Sequence, residues 1–181
     1  MNDMNMRPVR IGIVTVSDRA AQGLYEDKSG PAIAEWLDRA IASPITLLRH
    51  VIPDGAASVA TTLVQMIDEA GAELVLVTGG TGPAPRDQTP EGLAQVISRE
   101  YPGFGEEMRR ASLAEVPTAI LSRQTAGSRG KCLIITLPGK PAAIATCLNA
   151  VFAAVPYCLD LLGAGRIETR PEVIAAFRPK V

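Results

Sequence analysis

The chain alternates short, largely apolar segments with longer segments in which apolar residues recur every three or four positions. Apolar runs without a polar face are typical of strands that are buried on both sides. Four such runs occur, at residues 10–16, 45–52, 73–78 and 131–137. The spacing of three or four predicts amphipathic helices. These helices are expected at residues 30–41, 57–70, 90–99 and 104–114, with a long alanine-rich helix at 142–162.

This alternation predicts an α/β fold with three layers, in which helices cover both faces of a mostly parallel sheet. A glycine-containing turn at residues 127–130 is expected just before the last strand. In such sheets, ligands bind beyond the carboxyl ends of the strands. Each of the four strands is followed by a turn of polar residues, glycine or proline, so we expect the four turns to share one edge. They are residues 17–19, 53–55, 79–82 and 138–141.

The turn after the third strand, residues 79–82, contains three glycines around Thr81. Glycine lets the backbone bend sharply and bring its N–H groups close to a ligand. Arg86 and Asp87 follow, and Thr89-Pro90 predicts a helix start with a hydroxyl cap. Together these are the parts of an anion site. The same glycines also fit a tight turn before an ordinary capped helix.

The composition limits the class of protein. The chain has 181 residues, of which 47% are apolar and 4% aromatic, and this predicts one domain (residues 1–181) with an aliphatic core. Residues 1–8 lack the apolar segment of a signal peptide and are expected to be flexible. A net charge of −1 gives no reason to expect nucleic acid or a membrane as partner. Polar residues and a proline within 142–162 favour a buried or subunit-facing helix over a membrane span. We expect a cytoplasmic protein.

Several kinds of active site are excluded by the motifs that the chain lacks. Cys132, Cys147 and Cys158 form no C-x-x-C pair and are interpreted as buried thiols. His50 is the only histidine, and its place within a strand predicts a structural role, which leaves no Ser–His–Asp triad. The dinucleotide-binding and P-loop glycine motifs are also missing. What remains is chemistry that uses a metal ion, positive charge and backbone donors, and nucleotidyl transfer matches that description.

Asp54 and Asp87 each come just after a strand, so we expect them to face one another across the edge of the sheet. Two carboxylates can hold a hydrated Mg²⁺ ion, which keeps several waters and takes up substrate phosphates. Either aspartate alone fits a turn or helix cap slightly better than a metal site. The pair, with the glycine turn between them in sequence, predicts a catalytic magnesium site.

The segment from Val116 to Leu159 contains no Asp or Glu. It does contain four cationic side chains, Arg123, Arg129, Lys131 and Lys140. Such a segment would give the edge that it borders a positive potential suited to an anionic substrate. The sequence fits equally well a segment that carries few charges only because it forms part of the core.

Six short motifs occur in order along nearly the whole chain. They are Val-Thr-Val-Ser-Asp-Arg at 14–19, Thr-Gly-Gly-Thr-Gly at 78–82, Arg-Asp-Gln-Thr-Pro at 86–90, Pro-Gly-Phe-Gly-Glu at 102–106, Ala-Ile-Leu-Ser-Arg at 119–123 and Leu-Pro-Gly-Lys-Pro at 137–141. This set resembles the molybdopterin adenylyltransferase family, which includes MogA/MoaB-like proteins and the G domain of gephyrin. Residues 171–179 resemble its bacterial branch in particular.

The resemblance implies the molybdopterin-binding fold, a homotrimer and a step in molybdenum cofactor synthesis, with a molybdenum-inserting protein as a further partner. In that step, Mg²⁺ and ATP adenylate the terminal phosphate of molybdopterin and release pyrophosphate. By position, Asp54 and Asp87 match the family's acidic pair. The resemblance implies roles for three further groups: Ser17 and Asp18 for the nucleotide, Gly79, Gly80, Thr81 and Gly82 for phosphate, and Ser122, Arg123, Gly139 and Lys140 for substrate.

Two other functions remain open from the sequence. One is a non-catalytic module that binds molybdopterin and presents it to a partner. The other is a structural trimer in which the glycine turn only packs. The acidic pair favours the enzyme, because neither alternative needs two carboxylates at the ligand edge.

Overall fold

The computed structural model describes residues 7–180, which contain six strands and seven α-helices. The strands are β1 (Val9–Val16), β2 (Ile45–Ile52), β3 (Leu74–Thr78), β4 (Arg99–Glu100), β5 (Ala126–Arg129) and β6 (Cys132–Leu137). The helices are α1 (Asp18–Ala21), α2 (Ser29–Ala40), α3 (Ala56–Val64), α4 (Thr89–Ala94), α5 (Pro102–Leu113), α6 (Pro141–Val151) and α7 (Val155–Leu162).

All six strands form one sheet in the order β2-β1-β3-β6-β5-β4. Strands β2, β1, β3 and β6 run parallel, whereas β5 is antiparallel to β6 and β4 is antiparallel to β5. The predicted three-layer α/β fold with a mostly parallel sheet is therefore confirmed.

Two hydrophobic cores lie on opposite faces of the sheet. Ile11 and Ile13 of β1 belong to the core that packs under α2, α5, α6 and α7, whereas Val14 and Val16 belong to the core under α3 and α4. Successive strand residues point to opposite faces, so a strand covered on both sides must be apolar at every position. This explains why β1, β3 and β6 are visible as apolar runs, whereas β2 at the edge of the sheet is largely exposed.

Two predicted boundaries are wrong at the β4–β5 edge. The helix expected at 90–99 ends as an α-helix at Ala94, and Arg99–Glu100 forms strand β4. The turn expected at 127–130 is instead mostly strand β5. The strands approach so closely that a Cβ at Gly127 would lie 2.7 Å from the carbonyl oxygen of Arg99. Gly127 is therefore needed for strand contact and not for a turn.

Two predicted helices are interrupted. The helix expected at 57–70 is α3 followed by a π-helical turn at Gln65–Glu69. The long helix expected at 142–162 is α6 and α7, separated by a 3₁₀ turn at Phe152–Ala154. Pro156 lies in the first turn of α7, where its missing N–H removes no helical hydrogen bond.

Residues 141–162 are long and apolar enough to cross a membrane by length and composition, with a mean hydropathy of 1.8. In the structure, however, Ile144 and Leu148 of α6 and Leu159 of α7 are buried in the core against the sheet. These residues form a core layer of the fold, which agrees with the prediction of a buried helix.

Predictions for the N-terminus and the cysteines are met in part. Of residues 1–8, expected to be flexible, residues 1–6 lie outside the described residues, and Arg7 is paired with Glu73. Cys132 and Cys147 are buried as expected, but Cys158 is only partly buried. Burial raises the pKa of all three thiols, so they stay protonated and unreactive at neutral pH.

Candidate active site at the carboxyl edge of the sheet

The turns that follow β1, β2, β3 and β6 meet at one edge of the sheet, as the strand pattern predicts. Together with the loop before α2, they surround a cavity of about 370 Å³, which we call the edge cavity. The sequence-predicted residues that line it are Ser17, Asp18, Asp54, Gly79, Gly80, Asp87, Gly139 and Lys140. Groups from four distant segments are thereby brought into one site.

The glycine turn has a backbone that only glycine adopts without strain. Gly79 and Gly80 have φ angles of 100° and 65°, and a Cβ at Gly79 would collide with the carbonyl oxygen of Val16. Thr89 fixes the turn, since its hydroxyl donates to the carbonyl oxygen of Gly79 at 2.7 Å. The predicted hydroxyl cap at Thr89 is therefore wrong, because this hydroxyl holds the turn and caps no helix.

The N–H groups of Gly80, Thr81 and Gly82 donate to no other group among the described residues. Three consecutive unpaired N–H groups are available as donors to an anion. The N–H of Gly79 is already used, since it donates to the carbonyl oxygen of Leu137 at 3.2 Å. Phosphate binding is therefore a chemistry that the last three residues of the turn can supply.

Asp18 and Asp54 link the first two turns by reciprocal hydrogen bonds. The N–H of Asp18 donates to Oδ2 of Asp54, and the N–H of Asp54 donates to Oδ1 of Asp18, both at 3.0 Å. In the loop before α4, Oδ2 of Asp87 accepts the N–H of Ala84 at 3.1 Å. In Asp54 and Asp87, Oδ1 accepts no hydrogen bond from the described residues, so each carboxylate keeps one oxygen for a ligand.

The donor set fits a hydrated Mg²⁺ ion. Residues 7–180 contain no cluster of three or more His, Cys, Asp or Glu side chains that could hold a metal alone. Mg²⁺ commonly binds one or two carboxylates, several waters and substrate phosphates, which matches the free oxygens of Asp54 and Asp87. The edge cavity also mixes four aspartates with four cationic side chains. Carboxylates this close to a polyphosphate would repel it unless a cation lay between them.

A second cavity of about 450 Å³, which we call the side cavity, adjoins the edge cavity. Its lining is largely apolar, with Val116, Leu121 and Ala143 among the contributors, and includes the polar side chains of Ser122 and Gln124. Such a lining suits a flat ring system that carries a few polar groups. The two cavities share Gly80, Asp87, Gly139 and Lys140.

The remaining predicted residues are distributed unevenly. Thr81, Gly82 and Ser122 line the side cavity, but Arg123 lines neither cavity in the part of the chain described. The Arg123 side chain lies on the far side of the loop, paired with Glu91, whose pKa is lowered by its hydrogen bond from Arg123. The structure therefore does not bring Arg123 to the substrate position at which the resemblance places it.

The acid-free segment does not make the edge uniformly positive. Arg123 is paired with Glu91, and Arg129 is paired with Asp68. Arg129 ends β5 and Lys131 lies in the turn before β6, at the opposite end of the sheet from the edge cavity. Of the four cationic side chains only Lys140 lines the edge cavity. The acid-free segment therefore contributes one positive charge to this edge, and not the four that were expected.

The site residues missed by the sequence analysis include three polar residues that are hydrogen-bonded around the edge cavity. Asp27 accepts the hydroxyl of Thr15 at 2.9 Å and the backbone N–H groups of Ser29 and Gly30. The hydroxyl of Ser29 donates to the carbonyl oxygen of Gly139 at 2.8 Å. Thr15, Asp27 and Ser29 all line the edge cavity. The available signal was Asp27 two residues before Ser29-Gly30-Pro31, a pattern typical of a capped helix start.

The comparison with known families agrees with this geometry. A family model described as "Probable molybdopterin binding domain" matches residues 12–157, which include the four turns that follow β1, β2, β3 and β6. The chain belongs to this molybdopterin-binding family. The resemblance noted in the sequence is thereby confirmed.

Relatives in the molybdopterin-binding family match over almost the full chain. The molybdopterin adenylyltransferase of Escherichia coli (strain K12) is 50% identical over 187 residues, covering 97% of this chain and 96% of its own. That of Helicobacter pylori (strain ATCC 700392 / 26695) is 49% identical, covering 97% and 99%. Among solved structures, the molybdopterin biosynthesis enzyme MoaB from Thermus thermophilus has a TM-score of 0.78 at 39% identity. The match covers 85% of this chain and 96% of the MoaB chain.

Proposed function

We propose that the chain transfers the adenylyl group of ATP to the terminal phosphate of molybdopterin and releases pyrophosphate, as a step in molybdenum cofactor biosynthesis. The observation that carries the proposal is the pair of adjoining cavities, which share Gly80, Asp87, Gly139 and Lys140. A transfer enzyme must hold two substrates so that their reacting groups meet. Relatives that are about half identical bear the name of this nucleotidyltransferase.

The two cavities suit different substrates. The edge cavity, with its mixed charges and the unpaired N–H of Gly80 where it meets the side cavity, suits the triphosphate and sugar of ATP. The largely apolar side cavity suits the pterin ring system. The terminal phosphate of molybdopterin would then lie at the shared residues, near Asp87 and Lys140.

The reaction needs little acid–base catalysis. A terminal phosphate oxygen of molybdopterin forms a bond to the α-phosphorus of ATP, and the bond from that phosphorus to the bridging oxygen breaks. Pyrophosphate leaves with the electron pair. Because the attacking phosphate is already ionised, no residue must remove its proton, which agrees with a site that contains no histidine.

The protein residues bind and orient these groups. The N–H groups of Gly80, Thr81 and Gly82 donate to phosphate oxygens, and the ammonium group of Lys140 neutralises charge where the two substrates meet. Asp54 and Asp87 would hold Mg²⁺, which when bound offsets phosphate charge and favours the departure of pyrophosphate. Ser17 and Asp18 fix the nucleotide end of the edge cavity.

The test is pyrophosphate release from ATP and Mg²⁺, with and without purified molybdopterin, for wild type and Asp87→Asn. The asparagine oxygen can still accept the N–H of Ala84, so the loop should keep its shape. We expect release that depends on molybdopterin and falls by about 100-fold or more in Asp87→Asn, the scale on which charge-stabilising groups act. Asp68→Asn is the control, because this exposed carboxylate pairs with Arg129 at the other end of the sheet.

Either of two results would contradict the proposal. Wild type that binds molybdopterin without releasing pyrophosphate would be a carrier module. Full activity in a folded Asp87→Asn variant would remove this aspartate from the metal site.

We further propose that the protein acts as a homotrimer in the cytoplasm and passes its product to a molybdenum-inserting protein. The free cysteines support a reducing compartment. Several exposed apolar side chains, among them Ile120, Leu161 and Phe177, support a subunit interface. Sedimentation equilibrium gives the test, and a monomer at micromolar concentration would exclude the trimer.

A further inference from the structure

The loop between the glycine turn and α4 carries Asp87, yet it has few contacts of its own. Residues 83–86 are all exposed. Within the loop, the N–H of Asp87 donates to the carbonyl oxygen of Ala84, and the N–H of Ala84 donates to the carboxylate of Asp87. These two bonds fix the loop internally. From outside, Nε2 of Gln88 donates to the carbonyl oxygen of Pro85 at 3.3 Å.

Arg123 fastens this loop from outside. Its Nε donates to the carbonyl oxygen of Gly82 at 3.1 Å, and its Nη2 donates to the carbonyl oxygen of Asp87 at 2.5 Å. Its backbone N–H donates to the carbonyl oxygen of Thr81 at 2.7 Å. Nη1 forms an ion pair with Glu91, in the first turn of α4. One guanidinium group thus joins both ends of the loop to the helix that follows it.

The Arg123 guanidinium lines neither of the proposed substrate cavities. It lines a different groove, with Leu93, Ile97 and Arg109, which Lys140 does not line. The groups that it contacts are backbone carbonyls and one carboxylate, and an Arg side chain with its planar set of five donors suits this combination. A lysine ammonium at this place has the charge but not the fork-shaped geometry.

Building on the proposed function, we propose that Arg123 is a positioning residue that holds the loop from Gly82 to Asp87 so that the Asp87 carboxylate faces the junction of the two cavities. The Arg123 side chain acts on the Asp87 carboxylate indirectly, through its hydrogen bonds to the backbone carbonyls of Gly82 and Asp87. Small displacements of a catalytic group reduce turnover far more than substrate binding. Loss of Arg123 therefore lowers kcat and leaves the KM values for ATP and molybdopterin close to those of wild type.

The experiment compares Arg123→Ala, Arg123→Lys and Glu91→Gln with wild type, and Arg110→Met serves as the matched control. Arg110 also pairs with a glutamate, Glu107, but on the exposed surface of α5. Hydrogen exchange at the amides of Ala84 and Asp87 reports the loop without substrate, and steady-state pyrophosphate release separates kcat from KM.

We expect Arg123→Ala to lower kcat by about 100-fold and to speed exchange at both amides. Arg123→Lys should recover only part of the kcat, and Glu91→Gln, which keeps the carbonyl contacts, should lose less than Arg123→Ala. Arg110→Met should match wild type in both measurements. Free guanidinium ion, at a concentration that does not unfold the protein, should restore part of the kcat of Arg123→Ala. Such recovery would support the role of the planar guanidinium group.

Two outcomes overturn the proposal. A raised KM for molybdopterin at unchanged kcat would make Arg123 a substrate-binding residue, and unchanged kcat with unchanged exchange would make it a passive surface pair. If wild type releases no pyrophosphate, the proposed function fails instead. The exchange rates of Ala84 and Asp87 then decide by themselves whether Arg123 holds the loop.

Discussion

Gly79 shows how a single residue shapes the site. Its φ of 100° is a conformation that L side chains rarely adopt, and a Cβ there would collide with the carbonyl oxygen of Val16. The chain at Gly139 also passes close, since a Cβ there would lie 3.2 Å from the Cα of Gly79, a tight contact but not a collision. The turns after β1, β3 and β6 can therefore meet only because no side chain projects at these positions.

We expect Gly79→Ala to lower the free energy of unfolding by about 1–3 kcal/mol, because the backbone must either accept strain or move away from Val16. Urea unfolding measures the loss. Gly103→Ala is the matched control: Gly103 lies in α5 with open space around it, and alanine there should raise stability by about 0.5–1 kcal/mol. Equal stability of wild type and Gly79→Ala would show that the turn is not constrained as the structure indicates.

At the scale of elements, the sequence predicts best where burial forces one pattern. β1, β3 and β6 are covered on both faces, so nearly every position is apolar and the runs are visible without the structure. β5 was missed because Gly127 and Ser128 have the composition of a turn. Their place in a strand depends on how closely β4 approaches, and that contact joins residues almost thirty positions apart.

The same reasoning separates the predicted from the missed parts of the site. The turns follow directly from the strand pattern, so Asp54, Asp87 and Lys140 could be placed at one edge from the sequence alone. The position of Arg123 could not, since its bonds to Gly82 and Asp87 depend on the packing of a segment about forty residues away.

Glu73 connects three elements at the opposite edge of the sheet. It precedes β3, and its carboxylate accepts hydrogen bonds from Nη1 and Nη2 of Arg7, ahead of β1, at 2.8 and 2.6 Å. It also accepts the N–H of Gly165, after α7, at 2.6 Å. The hydrogen bonds from Arg7, aided by that from Gly165, lower its pKa below 4.5, although burial opposes the shift. The ionised form is thus favoured in the folded state.

We expect the stability from Glu73 to be fully present above the unfolded pKa of about 4.5 and to be lost as pH falls through the lower folded pKa. Urea midpoints measured from pH 7 to pH 3 test this. Glu73→Gln should cost about 1.5–3 kcal/mol at pH 7 and show a flatter pH profile. Glu107→Gln, which removes an exposed ion pair, should change the profile little. Parallel profiles for wild type and Glu73→Gln would contradict the assignment.

At the scale of the whole molecule, the segment 163–180 joins helices that are distant in sequence. The guanidinium of Arg170 donates to the carbonyl oxygens of Asp38, Arg39 and Ile41 at the end of α2. Those carbonyls have no partner within the helix, so Arg170 acts as a C-terminal cap from outside. Farther along, Arg178 pairs with Asp160 of α7. The C-terminal segment therefore fastens α2 to α7 across one face of the sheet.

The edge cavity lies at the N-terminal end of α2, whereas Arg170 binds the C-terminal end. Loss of the Arg170 contacts should therefore lower stability without lowering turnover. Ser29, at the start of α2, contacts Gly139 of the site, whereas Arg170 caps the end of the same helix. Arg170→Met leaves the carbonyls of the last turn unpaired and should lower the free energy of unfolding by about 1–3 kcal/mol. Urea unfolding and pyrophosphate release, measured on the same preparations, separate the two effects.

Arg166→Met is the control, since Arg166 lies in the same segment but pairs only with carboxylates, and it should change stability little. A fall in kcat for Arg170→Met at unchanged stability would instead indicate that the C-terminal segment communicates with the active site through α2.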